Sequence, residues 1–143
     1  MKKLLLLVII MLCGIQSEYI VAQIHDTRPI TIEEKRERRQ NRVVKEFNTE
    51  GNRKWMDRLS VWDPLGRKIE DIEYASYGQK ERVVSEYEGD DFKVVREIVY
   101  NDKNKVFRIR KFEYNPDGTK KKQYNYLPNG KLYSTKVFEY SFK

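Results

Sequence analysis

The chain has 143 residues and a formal net charge of +7 at pH 7, with 36% of its residues charged and 39% hydrophobic. This length suits one domain rather than two. The chain contains one cysteine and one histidine, so its composition excludes a disulfide-stapled scaffold and disfavours catalysis by a thiolate or a histidine-based triad.

The N-terminus has the organisation of an export signal. Two lysines precede an unbroken apolar run over residues 4–12, and Ala22 is the small residue that suits the position before a cut. We therefore predict a signal peptide at residues 1–22, cleaved before Gln23. The mature protein is then periplasmic or extracellular and keeps no transmembrane segment.

Two other fates of this segment remain open. An uncleaved membrane anchor needs about 20 apolar residues, and the run is shorter than that. Residues 10–13 resemble a lipoprotein box that would lipidate Cys13, but Leu12 is bulky where such a box has a small residue. Cleavage is the favoured interpretation, and it removes the thiol of the chain.

Residues 23–43 form a charged N-terminal arm that includes His25. Within it, Thr31 and Glu34 have the spacing of a capping box, which permits a short helix. The segment has no apolar stripe with which a helix would pack. We expect a solvated arm, and we place the folded domain at residues 44–143.

The domain repeats an aromatic residue followed four positions later by a turn residue. The aromatic residues are 12 to 15 positions apart: Phe47, Trp62, Tyr74, Tyr87, Tyr100, Tyr114, Tyr126 and Tyr140. The fourth residue after each of the first seven is of a type that readily adopts a left-handed backbone: Gly51, Gly66, Gly78, Asp91, Asn104, Gly118 and Gly130. The chain therefore contains an internal repeat of about thirteen residues.

Each repeat unit predicts one strand and one hairpin turn. In the stretch 115–118, proline presets φ for the first turn position and glycine supplies the positive φ that closes the loop with a bulge. The segments between turns are rich in Tyr, Phe, Val and Ile, as strands are. We predict an all-β fold, an antiparallel up-and-down meander of about seven or eight strands. An open sheet, a sandwich and a closed barrel remain alternatives.

The strand register predicts a face on which cations and tyrosines lie together. If Asn115 faces Thr119 across its turn, Phe112 faces Lys122. One side of the sheet, the basic–aromatic face, then carries Arg96, Arg108, Arg110, Lys120, Lys122, Lys136, Tyr100, Tyr114, Tyr124 and Tyr126. Cations beside aromatic rings suit an anionic polymer or a sugar chain. Alternatively, the same lysines and arginines are ordinary solvent-facing strand residues that prevent the edge-to-edge aggregation of sheets.

The stretches Tyr114-Asn-Pro-Asp-Gly118 and Tyr126-Leu-Pro-Asn-Gly130 resemble the tyrosine–aspartate (YD-type, RHS-like) repeats of bacterial cell-surface and toxin-shell proteins. This resemblance covers residues 47–143 and implies a β-repeat fold, without transferring any catalytic residue. The whole chain also looks like small exported proteins of Bacteroidota-type bacteria, which often have Ala-Gln at the cut, as at residues 22–23.

The sequence contains no GxGxxG, P-loop, HExxH or calcium-loop motif, and we predict no catalytic residue, metal site or cofactor. Asp90 and Asp91 suit a tight turn better than a cation site. We hypothesise an exported non-enzymatic binding module whose partner is a protein, a glycan or an anionic polymer, with no nucleic acid expected. The alternative is a secreted carboxylate-dependent hydrolase, because acidic residues are plentiful although no pair of them stands out.

Overall fold

The structure, a computed structural model, describes residues 29–141, and the predicted signal peptide, Cys13 and His25 lie outside them. One short helix is followed by eight strands: α1 (Ile32–Glu37), β1 (Val43–Glu50), β2 (Arg53–Trp62), β3 (Lys68–Ala75), β4 (Gly78–Tyr87), β5 (Val94–Tyr100), β6 (Val106–Tyr114), β7 (Lys120–Tyr126) and β8 (Leu132–Val137).

The eight strands form one antiparallel sheet in the order β1 to β8, so every strand pairs with its neighbours in sequence. A short hairpin loop returns the chain beside the strand it has just left, which explains this order. The predicted all-β meander is confirmed. Among the three arrangements that the sequence leaves open, the sheet is the open one, with β1 and β8 as its edges.

The hairpin turns have the predicted chemistry. After β6, the Asn115 amide donates to the Thr119 carbonyl at 2.9 Å, and the Gly118 amide donates to the Asn115 carbonyl at 2.9 Å. The turns after β2, β5 and β7 repeat both hydrogen bonds. The backbone φ is positive at six of the seven predicted positions: Gly51, Gly66, Gly78, Asn104, Gly118 and Gly130.

The turn between β4 and β5 departs from the pattern, and the prediction for Asp91 is wrong. The positive φ falls on Gly89, at 50°, because a residue without a Cβ adopts this conformation at lower cost. Asp91 uses its carboxylate instead: Oδ1 accepts hydrogen bonds from the amides of Phe92 at 2.6 Å and Lys93 at 3.3 Å.

Every pair of strands has a register shift at the repeated aromatic residue. In all seven pairs the regular pairing is interrupted one residue before the aromatic, as between Glu113 and Tyr114, and one residue of the partner strand is left over. A bulge of this kind bends the strand and increases its right-handed twist. Each repeat unit therefore encodes a bulge as well as a turn.

The pairing defines two faces, because residues directly opposite each other on antiparallel strands point to the same side. Face 1 carries the cross-strand row Ser60, Asp71, Val83, Val99 and Arg108. Face 2 carries the row Leu59, Ile72, Arg82 and Tyr100. Since side chains alternate along a strand, the repeated aromatic residues lie on face 1 at the ends of β2, β4 and β6 and on face 2 at the ends of β1, β3, β5 and β7.

The predicted register is correct at the turn and wrong within the strand. Asn115 and Thr119 are bonded across the turn, but Phe112 faces Gln123 rather than Lys122. The bulge adds one residue to β7, and a shift of one residue moves each later side chain to the opposite face. The basic–aromatic face is therefore not one surface.

The sheet has very little apolar core. Among the described residues, Ile72 and Val99 are the buried apolar side chains, one on each face. Ion pairs link neighbouring strands instead, as between Arg82 and Glu70 on face 2. A partly exposed pair contributes about 0.2–1 kcal/mol, so the sheet depends on many such pairs together with the main-chain ladder.

Tyrosine hydroxyls on face 1 join the end of one strand to the start of the strand before it. Three of them donate at 2.8 Å to main-chain carbonyls: Tyr87 to Lys68, Tyr114 to Val94 and Tyr140 to Lys120. Burial raises the pKa of Tyr87 and of Tyr114. The contact recurs every second strand because every second strand ends on this face.

We predict that Tyr114→Phe lowers the free energy of unfolding by about 1 kcal/mol, since it removes one hydrogen bond to a main-chain carbonyl. The matched control is Tyr126→Phe on face 2, whose hydroxyl has no hydrogen-bond partner among residues 29–141. Urea unfolding of both variants measures the difference. Equal losses would show that the hydroxyl contact on face 1 contributes nothing.

Candidate ligand-binding cleft

A cleft of about 340 Å³ opens where β2 and β4 end. Three cations, three aromatic rings and one glycine line it: Arg39, Trp62, Gly66, Arg67, Lys68, Tyr87 and Phe92. They come from the stretch after α1, the β2–β3 turn and the β4–β5 turn. No carboxylate belongs to this lining, so the cleft presents positive charge and ring surface.

Asp63 fixes the turn between β2 and β3. Its side chain is buried; Oδ1 accepts hydrogen bonds from the amides of Leu65 at 3.0 Å and Arg67 at 2.9 Å, and Oδ2 accepts one from Arg67 Nε at 2.7 Å. The Asp63 carbonyl also accepts the Asn41 amide at 3.0 Å, which ties the stretch after α1 to the turn. The buried charge is thus fully partnered, as its burial requires.

Burial alone would raise the pKa of Asp63. Hydrogen bonds from the Arg67 amide and guanidinium outweigh that effect, with help from the Arg67 charge and the Leu65 amide, and the pKa of this carboxyl lies below its ordinary value. Asp63 is therefore charged throughout the neutral range and balances Arg67.

Arg67 joins the β2–β3 turn to the β4–β5 turn. Its Nη1 donates to the carbonyls of Gly89 at 2.6 Å and Asp91 at 3.0 Å. Its guanidinium carbon lies 4.7 Å from the ring centroid of Tyr87. One side chain thus holds two walls of the cleft at a set separation.

The helix α1 packs on the same two turns. Gly66 has φ of +77°, and a Cβ at this position would overlap the Arg36 carbonyl of α1. The guanidinium carbon of Arg36 lies 3.9 Å from the ring centroid of Phe92. We expected a solvated arm; its helix has no buried residue but docks through these two contacts.

Two cations of the cleft have capacity for a ligand. Arg39 forms no ion pair within residues 29–141. Lys68 Nζ lies 3.5 Å from Asp71, with both side chains partly exposed, and 5.3 Å from the ring centroid of Trp62. Together with the ring of Phe92, these groups suit an anion attached to an apolar or sugar-like body.

A second, wider depression of about 660 Å³ has a different lining: Glu50, Asn52, Arg53, Lys54, Trp55 and Ser76. It is formed by the hairpin turns after β1 and β3, at the end of the sheet opposite to the cleft. The carboxylate of Glu50 lies among its cations, which makes this depression a poorer site for an anion.

The structure divides the ten residues of the predicted basic–aromatic face equally between the two faces. Face 1 carries Arg108, Arg110, Lys120, Lys136 and Tyr114, and face 2 carries Arg96, Lys122, Tyr100, Tyr124 and Tyr126. None of the ten lines the cleft.

Several of these cations already have partners within the sheet. Arg96 forms two hydrogen bonds of 2.7 Å with the carboxylate of Glu86, and Arg110 pairs with Glu97 at 3.0 Å. The guanidinium carbon of Arg108 lies 4.9 Å from the ring centroid of the neighbouring Phe107. Through such contacts, exposed arginines each make a small contribution to the stability of the sheet.

Sequence reasoning missed the residues of the cleft, although one signal pointed to it. In the turn of residues 62–67, aspartate follows the aromatic residue and arginine follows the glycine. That pair predicts a fixed turn, but Arg39 and Phe92 come from other segments, and only the fold brings them close.

No group of three or more potential metal-ligating side chains is present in the described part of the chain. Asp91, which with Asp90 was the sequence candidate for a cation site, caps its own turn. Between residues 29 and 141, no helix has the length and apolar character needed to cross a membrane.

No protein-family profile and no curated protein matches the chain. Among solved structures, a mutant of TarM from S. aureus in complex with fondaparinux, alpha-GlcNAc-glycerol and UDP is 20% identical; the match covers 71% of this chain and 20% of that one, with a TM-score of 0.30. The chain spans about a fifth of the length of that protein. A likeness this weak shows neither a shared fold nor a shared function.

We predict that Gly66→Ala destabilises the protein more than Gly130→Ala does. Both glycines have a positive φ, +77° and +83°, which costs an alanine about 1–2 kcal/mol. The added Cβ meets nothing within 4 Å at Gly130 but overlaps the Arg36 carbonyl at Gly66. Urea unfolding and the rate of tryptic cleavage after α1 measure the two effects. Equal losses and equal cleavage rates would contradict the docking of α1.

Asp63 should stabilise the fold in a pH-dependent way. Because its pKa is lowered on folding, its contribution is complete above the unfolded pKa of about 3.9 and is lost as the pH falls through the folded value. We expect Asp63→Asn to cost about 1–3 kcal/mol at pH 7 and progressively less at lower pH. Unfolding measured between pH 7 and pH 2 tests this.

The matched control for that experiment is Asp57→Asn, because Asp57 forms no ion pair among residues 29–141. At pH 7 this variant should lose much less stability than Asp63→Asn does. A constant loss for Asp63→Asn across the whole pH range would show that the charge of Asp63 is not what stabilises the turn.

Proposed function

We propose that the protein is an exported, non-enzymatic binding module and that its cleft binds an anionic sugar chain. The observation that carries this proposal is the pair of available cations, Arg39 and Lys68, beside the rings of Trp62 and Phe92 in a cleft without a lining carboxylate. Export rests on the signal-like N-terminal sequence.

The chemistry of the lining supports an acidic glycan more than other ligands. Flat aromatic faces pack against the apolar face of a sugar ring, and adjacent cations pair with its carboxylate, sulfate or phosphate groups. A protein partner would require a larger apolar surface than this cleft offers. Nucleic acid is disfavoured by export.

The side chains that line the cleft also favour binding over catalysis. Arginine, lysine and tyrosine at ordinary protonation are hydrogen-bond donors and cations, whereas hydrolysis of a sugar chain uses a pair of carboxyl groups. Two carboxylates contact lining residues from outside the cleft, and both have partners: Asp63 accepts from Arg67 and from main-chain amides, and Asp71 accepts from Ser60.

The cleft is held in shape before any ligand arrives. Arg67 spans two turns, and α1 docks on both of them. Preorganised walls reduce the ordering cost of binding, which suits a module whose purpose is recognition.

We predict that the double variant Arg39→Gln/Lys68→Gln binds dextran sulfate about tenfold more weakly than the wild type. Each partly exposed charge contact is worth about 0.2–1 kcal/mol, and 1.4 kcal/mol corresponds to a factor of ten. Titration calorimetry at low salt measures the change. Binding should weaken further as salt screens the contacts.

The matched control is Lys54→Gln/Lys111→Gln, which removes the same charge from two lysines that also lie over rings. Lys54 lies 4.5 Å from the centroid of Phe47 and Lys111 lies 5.5 Å from that of Tyr126, on face 2. This variant should bind nearly as well as the wild type. Equal losses in the two variants would show a diffuse charge effect and remove the cleft from the proposal.

A further inference from the structure

The outer edge of β8 is exposed along its whole length. All six of its residues are exposed, with Tyr133 at 62% and Val137 at 57%. Natural edge strands usually carry charges that prevent pairing with another sheet. β8 carries one charge, on Lys136, whereas β1 at the opposite edge carries three: Lys45, Glu46 and Glu50.

The backbone of β8 has main-chain groups available for a further strand. The Phe138 amide donates to the Lys121 carbonyl of β7 at 3.1 Å, so the main-chain groups of Phe138 point into the sheet. These groups alternate in direction along an antiparallel strand, and the register between β7 and β8 is regular from Ser134 to Val137. The amide and carbonyl groups of Thr135 and Val137 therefore point outward.

We propose that β8 pairs with β8 of a second copy of this chain, in an antiparallel two-fold dimer centred on Thr135. An isologous contact of this kind needs one patch that is complementary to itself. Six exposed residues with one charge and with outward main-chain groups provide such a patch. This inference goes beyond the binding function of the cleft and does not depend on it.

The side chains select the register. Pairing centred on Lys136 would place the two lysines directly opposite each other, and like charges in that position are destabilising. Pairing centred on Thr135 places Thr135 opposite Thr135, a favourable cross-strand pair, and sets each Lys136 beside Ser134 of the other copy. The register centred on Thr135 therefore uses the outward main-chain groups without charge repulsion.

The symmetry of this dimer has a consequence for the clefts. A two-fold axis between antiparallel edge strands runs perpendicular to the sheet, so both copies present face 1 on the same side. The lining rings of Trp62 and Tyr87 lie on face 1, so the rings of both copies lie on one side of the dimer, at its two ends, and a long polymer that reaches both clefts would be held with avidity.

Sedimentation equilibrium of the purified full chain tests the proposal. A contact limited to one strand buries little area, so we expect a dimer with a dissociation constant in the micromolar range. Thr135→Pro removes an outward amide, which an edge strand tolerates, and should give a monomer. Lys45→Pro is the matched control at the edge of β1 and should remain dimeric. The Arg42 carbonyl accepts the Trp62 amide and so points toward β2; because the direction alternates along the strand, the Lys45 amide, three residues later, points outward.

Disulfide trapping tests the register and still reports if the proline variant fails to fold. In a Cys13→Ser background, Thr135→Cys should form a covalent dimer under mild oxidation, because directly opposed Cα atoms lie about 5.5 Å apart, within disulfide range. Val137→Cys should not form a covalent dimer, because in this register position 137 of one copy lies opposite position 133 of the other, and the two cysteines are too far apart. A wild-type chain that stays monomeric up to about 0.5 mM would overturn the proposal. So would dimers that persist in Thr135→Pro, or equal trapping by the two cysteine variants.

Discussion

The structure depends on the bulge that accompanies each repeated aromatic residue. Within residues 29–141 the sheet has no second layer, so it buries what it can by its own twist and by laying long side chains across it. The bulge supplies local twist at one end of every hairpin and directs the aromatic side chain along the sheet. Because each strand reverses direction, successive aromatic residues lie on opposite faces at opposite ends. The tyrosine hydroxyls that reach main-chain carbonyls on face 1 are a direct result of this arrangement.

The β2–β3 turn adds a pair of charged side chains to the repeated turn, and this pair holds the cleft in shape. The β2–β3 turn has the same two main-chain hydrogen bonds as the turns after β5, β6 and β7. Asp63 and Arg67 add a buried ion pair that reaches across to the β4–β5 turn. A buried pair is favourable where hydrogen bonds satisfy the remaining capacity of both groups, and here main-chain amides and carbonyls do so. The repeat thus provides the scaffold, and Asp63 and Arg67 of one unit fix the turn around which the cleft forms.

The sequence predicts the fold well because turn chemistry is local. The residue types at Gly118 and Asn104 predict their turns, and the spacing of the aromatic residues predicts the number of strands. The faces are harder to predict, because the turn pattern indicates a bulge without showing which strand takes the extra residue: in the pair of β6 and β7 the register changes at Tyr114 and the extra residue lies in β7. The cleft is hardest, because Arg39 and Phe92 are 53 positions apart in the sequence. Their proximity depends on the docking of α1 beside Gly66. The glycine is the sequence feature that permits this close approach of two backbones, but the turn alone already explains a glycine at that position.

Every strand pairs only with the strands next to it in sequence, and this has a consequence for folding and for the growth of such a sheet. Most contacts join residues within two hairpins, so the chain can gain structure one hairpin at a time without first closing long loops. Stability is then close to a sum of hairpin and nearest-neighbour contributions, as in solenoid proteins. Cooperativity is carried by the few contacts that reach beyond a neighbouring strand, and Arg67 makes two of them. Loss of an outer hairpin would therefore leave the rest of the ladder in register, and duplication of one would lengthen the sheet without redesigning it.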